Sequence, residues 1–162
     1  MPTAKFSSPK NLCGYLFLLL LPATAADYVW KFEEAEVSGK SLNPSSGPKG
    51  ELSQEAQWDE SGALKLDGKQ HVLFPEKTAR NLSLDQFTIT ARVRVDQPHR
   101  WGGIVTFSQD NGDYERGWIV GYTNDRFSFK FSNGGLFQKV VSSRAIPLGE
   151  WAVLAITYDG KT

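Results

Sequence analysis

Cysteine is nearly absent from this chain. The single one, Cys13, lies in an N-terminal apolar stretch, so the rest of the chain has no thiol for a disulfide, a cysteine–zinc site or nucleophilic catalysis. Charge imbalance is missing too: Lys+Arg and Asp+Glu both number 18. No basic field invites nucleic acid, and no acidic tail is present. Histidines are two, His71 in an apolar run and His99 after Pro98, and no Gly-x-Ser-x-Gly elbow accompanies either. No stretch sustains a helical period, apart from a weak hint over Glu76 to Leu84.

Long hydrophobic runs are also lacking. The longest, Leu12 to Leu21, is far short of the roughly 20 residues a spanning helix needs. Lys5 and Lys10 precede it and Pro22-Ala23-Thr24-Ala25-Ala26 follows, which predicts a secretory leader cleaved after Ala25 or Ala26. The expected organisation is a leader over residues 1–26 and one domain over 27–162. The domain would be exported to a periplasmic or extracellular space, with no stable membrane insertion after cleavage.

What the chain does have is aromatics, 12% of residues with Phe 10, Trp 5 and Tyr 5, and short alternating runs. Nine strands are predicted. The first is Tyr28 to Phe32, with Tyr28, Trp30 and Phe32 on one face. Residues 33–62, rich in Ser, Gly and Pro, read as a long polar surface loop in which Glu33, Glu34 and Glu36 are solvated. Strands follow at Ala63–Leu66, His71–Phe74, Phe87–Val95, Ile104–Phe107, Trp118–Tyr122, Arg126–Ser132, Phe137–Ser142 and Trp151–Tyr158. In the fourth, Phe87, Ile89, Ala91, Val93 and Val95 alternate with Thr88, Thr90, Arg92 and Arg94; in the seventh, Phe127, Phe129 and Phe131 alternate with Arg126, Ser128 and Lys130. Turns of Gly, Asn and Asp between such strands predict an all-β, antiparallel jelly-roll sandwich. The Asp159-Gly160 turn calls for a second hairpin arm. The sequence therefore predicts a domain incomplete at its C-terminus, with an open sheet edge.

Several of these stretches together resemble the laminin-G-like, concanavalin A-like lectin/glucanase jelly-roll family. They are Ala63-Leu64-Lys65-Leu66-Asp67-Gly68, Phe87-Thr88-Ile89-Thr90-Ala91-Arg92-Val93, Gly103-Ile104-Val105, Gly117-Trp118-Ile119-Val120-Gly121-Tyr122 and Arg126-Phe127-Ser128-Phe129. Pro147-Leu148-Gly149-Glu150-Trp151 and Ala155-Ile156-Thr157-Tyr158-Asp159-Gly160 complete the set. The resemblance implies a recognition module for a polysaccharide or an extracellular protein. It also admits an N-terminal accessory domain of a larger exported hydrolase of phosphoesterase or sulfatase type, with catalysis beyond Thr162. Glucanases of this fold carry Glu-x-Asp-x-x-Glu along one strand, and that spacing is missing here. The chain itself is therefore expected to be non-catalytic.

Two groups are candidate sites. Exposed aromatics beside polar turns can cover the apolar face of a sugar ring, and Trp101, Tyr114 and Arg116 flank the Ile104–Phe107 strand. Trp30, Trp118 and Trp151 read as core. The loop from Ser108 to Asp113 offers hard oxygen ligands, Asp110, Asn111 and Asp113, which suit calcium. The same residues are good turn formers, and that reading is preferred. Asn81-Leu82-Ser83 has the form of a glycosylation acceptor.

Overall fold

The computed structural model describes residues 5–7, 28–75, 77, 86–109, 112 and 114–161. Two antiparallel sheets form the body. One is built from β8 (Phe87–Arg94), β13 (Trp151–Tyr158) and the short β1 (Lys5–Ser7), in the order β1-β13-β8. The other, in the order β12-β11-β10-β9, is built from β9 (Trp101–Gln109), β10 (Arg116–Thr123), β11 (Arg126–Asn133) and β12 (Gln138–Val141). Its strands follow one another in sequence, so it is an up-and-down meander.

Alternation decides which side of each strand is buried. Phe87, Ile89 and Ala91 from β8 meet Leu154, Ile156 and Tyr158 from β13 on one inner face; Trp118, Val120, Phe127, Phe129 and Phe131 form the other. The two faces close on each other through aromatic contacts. Phe87 lies 5.6 Å from Trp118 and 6.2 Å from Phe129 between ring centroids, and Phe131 lies 4.3 Å from Tyr158. Each such side chain removed from water contributes about 1.5–3 kcal/mol. This is the jelly-roll sandwich that the alternation predicts. Val93, nearer the end of β8, is only half-buried, and Ser128 is buried despite its outward position.

The region preceding β8 departs from expectation. Tyr28 to Phe32 is not a strand: only Val29 makes a bridge, to Ser46, and Phe32 sits at a φ of 55°. Glu36 is the cause. Its carboxylate is buried and accepts hydrogen bonds from the backbone N–H groups of Lys31 (2.8 Å), Phe32 (3.2 Å) and Ser45 (3.2 Å), folding the chain around itself. Glu36 is therefore not solvated, while Glu33 pairs with Lys31 at 3.2 Å. The segment 33–62 is likewise not a plain loop. It holds a 3-10 turn (Glu34–Glu36) and the strands β2 (Val37–Ser38), β3 (Ser41–Leu42), β4 (Gly50–Leu52) and β5 (Gln57–Trp58). With β7 (Val72–Leu73), the first three make a sheet in the order β2-β3-β4-β7, and β5 pairs with β6 (Leu64–Lys65). Leu42 and Leu52 are buried beside Trp30 in the core.

One further expectation is corrected. Trp151 pairs with Arg94 at the start of β13 and stands on the outer face with Val153 and Thr157, half-buried, with the Arg92 guanidinium 4.3 Å from its ring centroid. A stacked cation replaces core packing there. The second side of β13 pairs with β1 from Lys5↔Ala155 to Ser7↔Val153; these three residues belong to the predicted leader, so the pairing exists only in the uncleaved chain. Apart from those three residues, the predicted leader lies outside the described residues, as does Asn81-Leu82-Ser83.

Candidate functional site

The three sugar-site candidates are not brought together. Trp101 is the first residue of β9, in a strand and not in the expected loop, and pairs with Thr123; Arg116 opens β10 and pairs with Gln109. Seven residues of β10 separate these two rungs, about 23 Å at strand rise. Trp101 therefore marks one end of the meander, and Tyr114 and Arg116 mark the other.

At the far end, Tyr114 is 56% exposed and its ring lies over Gly134, where a Cβ would come within 2.8 Å of the phenol oxygen. The next residue, Glu115, is buried. Its Oε2 accepts the Phe137 N–H at 2.8 Å, and its own N–H donates to Gly135 O at 2.9 Å. These contacts pin the Asn133–Phe137 turn against the β9–β10 connection. Asp110, Asn111 and Asp113 of the calcium reading lie outside the described residues. Among the described residues no three of His, Cys, Asp and Glu gather as a metal-binding group.

The Trp101 end is different in kind. Trp101 is 62% exposed, and Arg100 stacks its guanidinium 4.6 Å from the ring centroid. Cross-strand register places its neighbours on the outer, solvent face in successive rows. Trp101, Thr123 and Arg126 form the first row, and Gly103, Gly121, Ser128 and Val141 the second. Thr106, Ile119, Lys130 and Lys139 form the third. The second row is low except at its β12 end, where Val141 is 39% exposed. Gly103 and Gly121 have no side chain, and Ser128 is 8% exposed with its hydroxyl 3.4 Å from that of Thr123. A β-bulge sets this up, because the register shifts between Val120 and Gly121 and leaves Ile104 unpaired. A Cβ on Gly121 would overlap the Gly102 carbonyl, so the close approach of β9 and β10 itself requires glycine. The result is a trough across the strands, walled by Trp101 on one side and by lysines and Ile119 on the other.

A shallow concavity of about 600 Å³ lies elsewhere, lined by Ser38, Lys40, Lys49, Glu51, Leu73 and Pro75 among others. It mixes both charges and holds none of the candidate residues. Trp118, read as core, is 1% exposed, and its indole N–H has no hydrogen-bond partner among the described residues. His71 and His99 are both exposed; His71 donates its backbone N–H to Ser53 Oγ, and His99 lies beside Gly68.

Two carboxyls are held below the ordinary range, and both are structural. Asp59 is lowered first by the Ser61 hydroxyl at 2.7 Å, then by the N–H groups of Ala63 and Ser61 and by Arg94 at 3.1 Å, against burial that raises it. Asp67 is lowered by the N–H groups of Lys69 and Gln70. A carboxyl with a depressed folded pKa stabilises fully above its unfolded value of about 3.9 and loses that contribution as pH falls through the folded value. Stability should therefore begin to fall below about pH 4. Asp59→Asn should lose about 1–2 kcal/mol at neutral pH and show a shallower acid limb in a pH series of urea denaturations. Equal acid limbs in the two proteins would remove Asp59 from this role.

The comparisons agree with this architecture. The model of the Laminin_G_3 family, described as the concanavalin A-like lectin/glucanases superfamily, matches residues 66–162. Searches of the curated proteins and of the solved structures found no match. Among the described residues no helix is long and apolar enough to cross a membrane.

Proposed function

We propose that this chain, which belongs to the Laminin_G_3 family of the concanavalin A-like lectin/glucanases superfamily, is an exported, non-catalytic recognition module that binds carbohydrate on the outer face of its β9–β12 sheet. The observation that carries the reading is Trp101, a large ring 62% exposed at the lip of a glycine- and serine-floored trough. A flat aromatic beside a low polar floor lets a pyranose stack its apolar face while the hydroxyls of Thr123 and Thr106 meet those of the sugar. Export rests on the leader pattern of residues 1–26.

Affinity electrophoresis of the protein through gels containing neutral and acidic polysaccharides tests it. At least one polymer should retard the protein, and Trp101→Ala should weaken that retardation at least about tenfold, as loss of a central aromatic anchor does. Unchanged retardation of Trp101→Ala would move the site off this face. Tyr114→Ala, at the opposite end of the sheet, should leave retardation within about twofold of the parent.

A further inference from the structure

Resting on the carbohydrate reading, we infer that the trough takes an acidic polysaccharide, one bearing uronate carboxylates, with Lys130 and Lys139 as the carboxylate-binding pair. Lys130 of β11 and Lys139 of β12 are directly opposite in the antiparallel register and share the outer face. Like charges so placed repel and destabilise the sheet. No ion pair relieves either lysine among the described residues, where Glu33, Asp59, Asp96 and Asp125 pair with other cations.

Edge protection explains only half of the arrangement. A lysine on an edge strand such as β12 deters strand addition, but β11 is an interior strand flanked by β10 and β12. A local rule broken in the middle of a sheet, with no compensating partner, points to a functional or a strained site. An incoming anion supplies the missing compensation.

The surroundings specify which anion. The three rows contain Arg126, Lys130 and Lys139 and no carboxylate; Asp125, 3.9 Å from Arg126, lies beyond them at the hairpin tip. Ile119 to Thr123 spans the trough from lysine row to tryptophan row, about 13 Å, and three strand spacings carry it across the sheet for about 14 Å. A short run of sugar rings lying across the strands would stack one ring on Trp101 and bring acid groups of others to the lysines. Nucleic acid is a poor occupant, because the chain carries 18 basic and 18 acidic residues and no extended basic field.

The test uses polygalacturonate, its methyl ester and polyglutamate as gel-immobilised probes. Polygalacturonate should retard the protein, less as NaCl rises. The double substitution Lys130→Gln with Lys139→Gln should weaken retardation about tenfold or more, while its thermal midpoint stays level or rises because the repulsion is gone. Lys139→Gln alone should move both readouts the same way. Three results would overturn the inference: no retardation by polygalacturonate, unchanged retardation of the double variant, or equal retardation by polyglutamate. Equal retardation by the methyl ester would also overturn it while leaving sugar recognition intact. A neutral polymer bound in a Trp101-dependent way, with polygalacturonate ignored, separates the two readings in the same manner.

Discussion

Gly117→Ala should cost more than about 3 kcal/mol and leave little soluble protein. Gly117 sits at a φ of 104°, a conformation that side-chain-bearing residues rarely enter. A Cβ there would also overlap the Phe107 carbonyl oxygen and lie 3.0 Å from both Phe107 C and Ser108 Cα. These are backbone atoms of β9, paired through the Gly117↔Ser108 rung, and β11 holds the other side through Gly117↔Ser132. Neither neighbour can retreat without breaking a ladder. Gly103→Ala is the internal comparison: its Cβ would meet only the Thr106 Cγ2 methyl, at 2.9 Å, which can rotate away. That variant should lose under about 1 kcal/mol. Chemical denaturation of both variants decides the point, and a Gly117→Ala protein within 1 kcal/mol of the parent would refute this account of β10.

The contrast between these glycines explains what the sequence could reveal about the trough. Gly117 and Gly121 flank Trp118 in a stretch recognisable as a strand, but the need for glycine arises from the approach of β9. That approach is a tertiary fact. Trp101 is visible as an aromatic beside polar residues. Its association with Thr123, Ser128, Lys130 and Lys139 depends on register across four strands, and a one-residue slip would send every one of these side chains to the core face. The same dependence separates Trp101 from Tyr114 and Arg116. In the sequence they bracket one short strand; in the fold that strand runs the length of the sheet between them.

Strands β8, β10, β11 and β13 were legible because each buries most of one face, which favours period-two alternation. Trp151 shows the limit of that signal. Trp151, Val153 and Ala155 share one face of β13 and Ala152, Leu154 and Ile156 the other, so both faces look apolar and the pattern does not choose. The choice is made by Arg92 and Arg94 across the ladder, 4.3 and 5.8 Å from the indole centroid. The two- and three-residue strands between Val37 and Trp58 are too short to show any period. Their buried apolar side chains, Leu42 and Leu52, are isolated leucines in a polar run.

Glu36→Ala should be the second severe substitution, losing about 3 kcal/mol or more. Three backbone donors converge on this one carboxylate: Lys31 and Phe32 on Oε2, and Ser45 on Oε1. Removing the acceptor leaves the N–H groups of half-buried Lys31 and Phe32 to find new partners, each at a cost of about 1–3 kcal/mol before relaxation, while the exposed Ser45 can turn to water. It also releases Phe32 from its φ of 55°, which nothing else in the segment enforces as directly. Glu36→Gln should be milder, about 1–2 kcal/mol. Its one oxygen can serve Lys31 and Phe32, but its amide then presents a donor to the Ser45 N–H. The damage should also stay local. Trp30, whose indole donates to Pro48 O at 3.0 Å, and Leu42 pack beside this turn, so amide exchange should quicken across Val29–Leu52 before it does in β10 and β11. Glycan retardation through Trp101 should persist in whatever fraction remains folded, because the trough shares no hydrogen bond with Glu36. A thermal midpoint for Glu36→Ala within a degree of the parent would show that water can replace the carboxylate. The turn at Phe32 would then need another explanation.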